Sequence, residues 1–316
     1  MEEDLAYCRK AGKIHKQIKN EITEWIKPNM DLSFICNTIE DRIRELTNFD
    51  TDNPLQAGIA FPTGISINNC AAHWTPNPGD KSILLQNDVC KIDFGVHVNG
   101  FIADSAITIA FEDKYLPLLE ASKTSTQIGI DKSGPDAHIG DISAEIEENL
   151  ESYEIELNNN IHPIKSVKDL MGHQIKPYQI HAQKRVPNFK LEYNERMCEG
   201  EFYAIETFAS SGNGLAYEGK ECSHYMLNYT DNYQSIQLPT KDKKFLENIE
   251  KHFSTLAFCN RWLDKLKIKR YDHLLKNLIK ANVVKKYPPL YDINNSYVAQ
   301  FEHTIYINDI GREILS

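Results

Sequence analysis

One short stretch constrains this chain more than any other. The run Lys91-Ile92-Asp93-Phe94-Gly95-Val96-His97-Val98 is followed by Asn99-Gly100 and then by Phe101-Ile102-Ala103-Asp104-Ser105-Ala106-Ile107-Thr108-Ile109. An Asn-Gly pair between two alternating runs marks a hairpin closed by a two-residue type I′ turn, because both turn positions need a positive φ. With Asn99 and Gly100 as the loop, Val98 pairs with Phe101, Val96 with Ala103, Phe94 with Ser105 and Ile92 with Ile107, giving one mostly apolar face. Asp104 then lies opposite Gly95, with Asp93 as its diagonal neighbour on the other face. Two like charges about 4 Å apart repel by roughly 4 kcal/mol at an effective dielectric near 20. Two readings follow: a site that holds a cation between the acids, or a solvated outer face carrying two incidental carboxylates.

The rest of the composition narrows the class. With 316 residues, 41% of them hydrophobic and 10% aromatic, the chain can bury a large core. A formal charge of −10 argues against a nucleic-acid surface spread over the whole molecule. The seven cysteines, at 8, 36, 70, 90, 198, 222 and 259, show no CxxC spacing and are expected to be reduced thiols, mostly buried. Met1-Glu2-Glu3-Asp4 opens no signal peptide and no apolar run is long enough to span a bilayer, so a cytoplasmic protein without membrane contact is expected.

Leu5, Cys8, Ala11, Ile14, Ile18, Ile22 and Trp25 recur at helical spacing up to Pro28, and a second amphipathic helix follows Asp31 through Leu32, Ile35, Ile39, Ile43 and Leu46. From about Gly58 to Phe111 the pattern is that of strands. Helices are expected near Tyr115 to Ile130 and Asp141 to Tyr153, and strands near Ser166 to Ile175, Glu201 to Ser210 and Tyr297 to Asn308. Between Thr240 and Lys286 runs a block rich in Lys, Leu, Phe and Trp at helical spacing. No linker or repeat interrupts this order, so one domain with a helical insertion is expected.

Three later segments carry further potential ligands: Met171-Gly172-His173-Gln174-Ile175, Phe202-Tyr203-Ala204-Ile205-Glu206-Thr207-Phe208 and Val298-Ala299-Gln300-Phe301-Glu302-His303-Thr304. Taken singly, each is as compatible with a structural histidine or a solvated strand acid. In order along the chain, however, they join Ala60-Phe61-Pro62-Thr63-Gly64, Asn68-Asn69-Cys70-Ala71-Ala72-His73-Trp74-Thr75-Pro76-Asn77, Glu221-Cys222-Ser223-His224-Tyr225-Met226 and Leu256-Ala257-Phe258-Cys259-Asn260-Arg261-Trp262-Leu263. This set resembles the methionine aminopeptidases of the pita-bread fold, specifically their type 2 branch, over nearly the whole chain.

The resemblance implies an α+β fold of the creatinase/aminopeptidase kind: an antiparallel sheet backed by helices, in a single catalytic domain over 1–316 with a type 2 helical insertion at about 225–290. It implies Asp93, Asp104, His173, Glu206 and Glu302 as ligands of two divalent ions, with Asp104 and Glu302 bridging. Four carboxylates and a neutral imidazole carry a charge that two divalent cations balance. Oxygen and nitrogen donors suit cobalt, manganese, iron or zinc. The implied reaction is two-metal hydrolysis of the first peptide bond of a nascent protein, releasing methionine ahead of a small second residue, with Glu206 moving the proton. His73 and His181 would hold the scissile amide and stabilise its oxyanion. Phe61, Ile180, Phe208, His224, Ala257 and Tyr287, with His73 and His181, would form the substrate pocket. Fumagillin-type inhibitors are expected at His73. The ribosome is the implied partner, with the lysine-rich and acidic N-terminal extension of many eukaryotic type 2 enzymes expected to be missing, and direct nucleic-acid binding is not expected. Lys176 and Gln183 stand where relatives commonly have glycine, which predicts an altered loop path and access after His173. The rival readings are an inactive pita-bread interaction or RNA-binding protein and a proline-directed aminopeptidase.

Overall fold

The computed structural model describes residues 2–228, 235–268 and 270–316. Two helices lead the chain, α1 (Glu2–Trp25) and α2 (Leu32–Thr47). Asp31 caps α2, its carboxylate accepting the Phe34 N–H at 2.8 Å, and Asn48 ends it in the left-handed conformation. The apolar stripes read from the sequence, Ile14, Ile18 and Ile22 on α1 and Ile35, Ile39 and Ile43 on α2, pack on Ile92, Phe94 and Val96 of the hairpin in one buried cluster.

The strands that follow are β1 (Ala57–Ile67), β2 (Cys70–Ala72), β3 (Val89–Val98) and β4 (Phe101–Ala110). β3 and β4 pair in the register that the Asn-Gly turn dictates, Val98 with Phe101 and Gly95 with Asp104, and both Asn99 and Gly100 have positive φ. β1 completes a three-stranded antiparallel sheet on the other side of β3, with register shifts on either side of Phe61. Bulges of this kind re-aim side chains near functional sites.

Helices α3 (Leu116–Lys132) and α4 (Ile139–Leu150) come next, then the short strands β5 (Glu154–Leu157), β6 (Asn160–Pro163) and β7 (Lys165–Ser166). The β5–β6 hairpin was not expected from the sequence. Its turn is Asn158-Asn159, both at positive φ, so two asparagines replace the more recognisable Asn-Gly. Beyond it lie β8 (Met171–Ile175), β9 (Arg185–Pro187), β10 (Phe202–Ser210), β11 (Tyr217–Glu218) and β12 (His224–Leu227).

The block at helical spacing contains α5 (Thr240–Phe253), α6 (Asn260–Lys265) and α7 (Tyr271–Lys280), but also β13 (Phe258–Cys259) and β14 (Val284–Tyr287). These two strands flank β12 in a small sheet with its own core, built on Phe245, Ile249, Leu263 and Leu278. Residues 229–234 and 269 of the expected insertion lie outside the described residues. The chain closes with β15 (Leu290–Tyr291), β16 (Val298–Ile307) and β17 (Arg312–Ile314).

The second main sheet is antiparallel, ordered β17-β16-β10-β8-β9, with β7 also on β10. α3 lies across it: the Ser122 hydroxyl donates to the Thr207 carbonyl at 2.8 Å and the Thr126 hydroxyl to that of Phe301 at 2.9 Å. The two sheets meet along β4 and β16 through hydroxyls rather than a backbone ladder. Asp104 N–H donates to Thr304 Oγ1, which donates to the Asp104 carbonyl, both at 2.8 Å, and the Ser105 and Thr108 hydroxyls bond the carbonyls of Glu302 and Gln300. This seam sets the hairpin aspartates against the acids of β10 and β16.

Candidate metal centre and substrate cavity

At the seam lies a cavity of about 320 Å³, and all thirteen side chains selected from the sequence line it. The acidic end is a product of register. Glu206 and Glu302 are direct cross-strand partners on β10 and β16, and His173 of β8 pairs with Ala204, one same-face step from Glu206. Asp104 and Asp93 arrive from the facing hairpin. One donor atom each from Asp104, His173 and Glu302 lie within 4.8 Å of one another.

Three observations test whether these residues fit divalent ions. First, His173 Nε2 stands 3.7 Å from Asp104 Oδ2 and 3.8 Å from Glu206 Oε1, distances too long for hydrogen bonds but suited to groups that share an ion. Second, Asp93 Oδ1 and Asp104 Oδ1 are buried with no hydrogen-bond partner among the described residues. Third, the acids are pushed towards their neutral forms, Asp93 to about 7 and Asp104, Glu206 and Glu302 well above the usual carboxylate range. Burial is the largest cause in each, and mutual repulsion adds to it at Asp104, Glu206 and Glu302. Such a cluster is stable in its charged form only with cations among the oxygens. The donor set fits.

The other end is apolar. Phe61, turned by the β1 bulges, lies over Gly95: a Cβ there would come within 2.3 Å of the Phe61 ring, so only glycine fits at this point of β3. Ile180, Phe208, Met226, Ala257 and Leu290 continue the wall. His224 and Tyr287 are cross-strand partners of β12 and β14, and Ala257 precedes β13, so the inserted sheet supplies three wall residues.

Three histidines stand between the two ends. His73 follows β2 in the left-handed conformation, φ 63°. Its ring meets that of Tyr287 edge-on at 5.8 Å, and the His181 ring stands perpendicular to that of His173 at 4.5 Å. Burial keeps His73, His181 and His224 neutral near pH 7: His73 is lowered to about 4, His224 to about 3, and His181 falls well below 6.5, with the Arg185 charge adding to the effect of burial. His224 Nε2 faces the Pro62 carbonyl at 3.4 Å, so that nitrogen carries the proton, and Nδ1 faces Ser223 Oγ at 3.1 Å.

The loop from His173 to His181 takes a defined path despite Lys176. Lys176 and Gln179 exchange two backbone hydrogen bonds of 2.9 and 2.8 Å around Pro177-Tyr178, and the positive φ falls on Tyr178, not on Lys176. Tyr178 is tied to the Gly100 carbonyl by its N–H, to the Leu55 carbonyl by its hydroxyl and to the Thr255 hydroxyl by its carbonyl. Lys176 and Gln183 are exposed and do not line the cavity.

Sequence reasoning missed Gln300. Its amide nitrogen donates to Asp93 Oδ2 at 3.3 Å and to Glu206 Oε2 at 3.2 Å, holding acids from both sheets. Gln300 lies two residues before Glu302 and so shares its face, a signal that period-two alternation contains. Arg185, another wall residue, was also missed.

Comparison with known proteins gives the family and the fold. Residues 6–309 match the model of metallopeptidase family M24. The chain is 47% identical over 308 residues to methionine aminopeptidase 2A of Arabidopsis thaliana, covering 98% of this chain and 69% of that protein. It is 45% identical to methionine aminopeptidase 2 of Schizosaccharomyces pombe, covering 98% and 71%. Among solved structures, a thermophilic Arx1 superposes with TM-score 0.83 at 15% identity, covering 99% of this chain and 90% of the other. A methionine aminopeptidase from Thermotoga maritima gives 0.67 at 17%, covering 100% and 97%; at these identities the likeness concerns the fold. With a family match over nearly its whole length and relatives of nearly half-identical sequence, the chain belongs to metallopeptidase family M24, in its methionine aminopeptidase 2 branch.

Proposed function

We propose that this protein removes the N-terminal methionine of nascent polypeptides whose second residue is small, as a metal-dependent aminopeptidase. The observation that carries this reading is one cavity with two chemically opposite ends, an acidic cluster and an apolar pocket separated by neutral histidines. Asp93, Asp104, His173, Glu206 and Glu302 would hold the two divalent ions. Such ions supply Lewis acidity and lower the pKa of water so that it becomes a nucleophile near neutral pH.

The chain's own residues do the rest. Glu206 accepts the proton of the attacking water and passes it to the leaving amine. Gln300 keeps Glu206 and Asp93 in place through its amide. His73 and His181, held neutral by burial, donate to the scissile amide and to the oxygen as its charge develops. Phe61, Ile180, Phe208, His224, Ala257 and Tyr287 surround the methionine side chain, where aromatic rings favour its sulfur. A neutral His73 at the cavity centre is also a nucleophile for electrophiles of the fumagillin type. Nascent chains, and with them the ribosome, are the source of substrate.

The test is a panel of Met-Ala-Ser, Met-Pro-Ser, Ala-Pro-Ser and Leu-Ala-Ser peptides assayed with each of the four metals. Release of methionine, with leucine disfavoured by roughly 10- to 200-fold, is expected. Cleavage of Ala-Pro-Ser in preference would establish the proline-directed alternative, and no cleavage with any metal would establish an inactive homologue.

A further inference from the structure

Beyond His173 the second sheet has one more strand. β9 pairs with β8 so that Arg185 is the direct cross-strand partner of His173. Partners in an antiparallel pair send their side chains to the same face. Arg185 therefore extends the row of Ala204 on β10 and His173 on β8, one same-face step from the Glu206–Glu302 pair, and it lines the same cavity.

Arg185 is a half-buried residue, and among the described residues nothing forms a hydrogen bond or ion pair with its guanidinium; its main-chain N–H is engaged by the Tyr193 hydroxyl at 3.4 Å. The preceding residue shows the contrast. Lys184 is bound by both carboxylate oxygens of Glu201, at 2.7 and 2.8 Å. Asp169, the other charged group of this part of the wall, is engaged by the Ala216 N–H at 2.8 Å and forms no ion pair with Arg185. The positive charge of Arg185 is felt by His173, His181 and Tyr287, all of them wall residues. A permanently charged, planar fork with no partner in the protein, facing a peptide-binding cavity, is complementary to a carboxylate on the peptide.

We propose that Arg185 is a specificity residue that pairs with an acidic side chain of the substrate downstream of the cleaved bond. This rests on the aminopeptidase reading above. Neighbouring strands are about 4.8 Å apart and an extended peptide advances about 3.3 Å per residue. A substrate leaving the acidic end along the row towards β9 brings its third or fourth residue alongside Arg185. The favoured substrates are thus methionine-initiated chains with a small second residue and Asp or Glu at position three or four.

The experiment measures kcat/KM of the metal-loaded full chain on Met-Ala-Ser-Ser, Met-Ala-Glu-Ser, Met-Ala-Ser-Glu and Met-Ala-Lys-Ser at low and high salt. At low salt one of the glutamate peptides exceeds the lysine peptide by roughly tenfold, chiefly through KM, and the margin shrinks as salt rises. Arg185→Gln levels the series, and Arg185→Glu turns it in favour of lysine. A flat wild-type series, or a preference for acid that survives either substitution, overturns the proposal even while methionine is released. Failure to release methionine from any peptide would instead overturn the reading beneath it.

Discussion

The two ends of the cavity are built by different means. The acidic end stands on long paired strands: Glu206 opposite Glu302, Asp104 opposite Gly95, and the Asp104 main chain bound on both sides by Thr304 Oγ1. The apolar end is assembled from a bulge at Phe61, a turn before Ile180, the connection at Ala257 and a small separate sheet carrying His224 and Tyr287. Four buried like charges keep a useful geometry only where register leaves no freedom, since a slip of one residue would turn each acid to the other face. An apolar pocket needs only shape, which loosely related pieces can supply if something clamps them.

The clamp is a buried ion pair. Arg261 at the start of α6 binds Glu40 of α2 through Nη2 at 2.8 Å and Nη1 at 3.1 Å. Trp262 Nε1 donates to the same carboxylate at 2.8 Å, while Arg261 also reaches Thr75 Oγ1 and the Pro76 carbonyl, two and three residues after His73. One network thus joins the insertion, the N-terminal helices and the His73 segment.

Three variants separate the two ends. Asp104→Asn should have the largest effect: loss of bound metal, read by elemental analysis, and a fall in turnover of at least roughly 10⁴-fold, the upper range for losing a general acid–base group alone. Retained metal with near-normal turnover would show that the acidic end is not the ion site. Glu40→Ala should leave metal content unchanged but strand the Arg261 charge, costing about 3–5 kcal/mol in denaturant unfolding and weakening discrimination of methionine from leucine. If selectivity survives that loss of stability, the clamp does not shape the pocket.

The smallest effect concerns the packing under the hairpin. Burial lowers His15 to about 3 from 6.5, and its Nε2 bonds the Phe94 carbonyl at 2.7 Å with the rings stacked. Because the folded-state value is the lower one, the unfolded chain binds more protons between these values, and stability falls as pH drops below 6.5. This group contributes up to about 1.4 kcal/mol per pH unit in that window. His15→Phe should flatten the decline by that share without altering metal content or selectivity, and an unaltered slope would show that His15 is not held neutral in the fold.

The acidic end was the more legible in the sequence, for the same physical reason. Asn99-Gly100 fixed a register that carried Asp93 and Asp104 with it, and strand alternation placed Glu206 and Glu302 on definite faces. The meeting of the two sheets was not legible, because the hydroxyls of Ser105, Thr108 and Thr304 that join them look like ordinary strand residues. The small sheet of the insertion was hidden for another reason: β13 has two residues and β14 reads Val284-Lys285-Lys286-Tyr287, too short and too charged to stand out beside three helices. Gln300 and Arg185 escaped because neither belongs to the acid and histidine types sought for a metal site; register revealed them.

The central claim is that Asp93, Asp104, His173, Glu206 and Glu302 act together as the seat of two divalent ions. Anomalous diffraction from crystals grown with manganese measures this directly. The account predicts two adjacent peaks, with Asp104 and Glu302 between them, Asp93 on one side and His173 and Glu206 on the other. A single peak, or peaks bound by other residues, would contradict it.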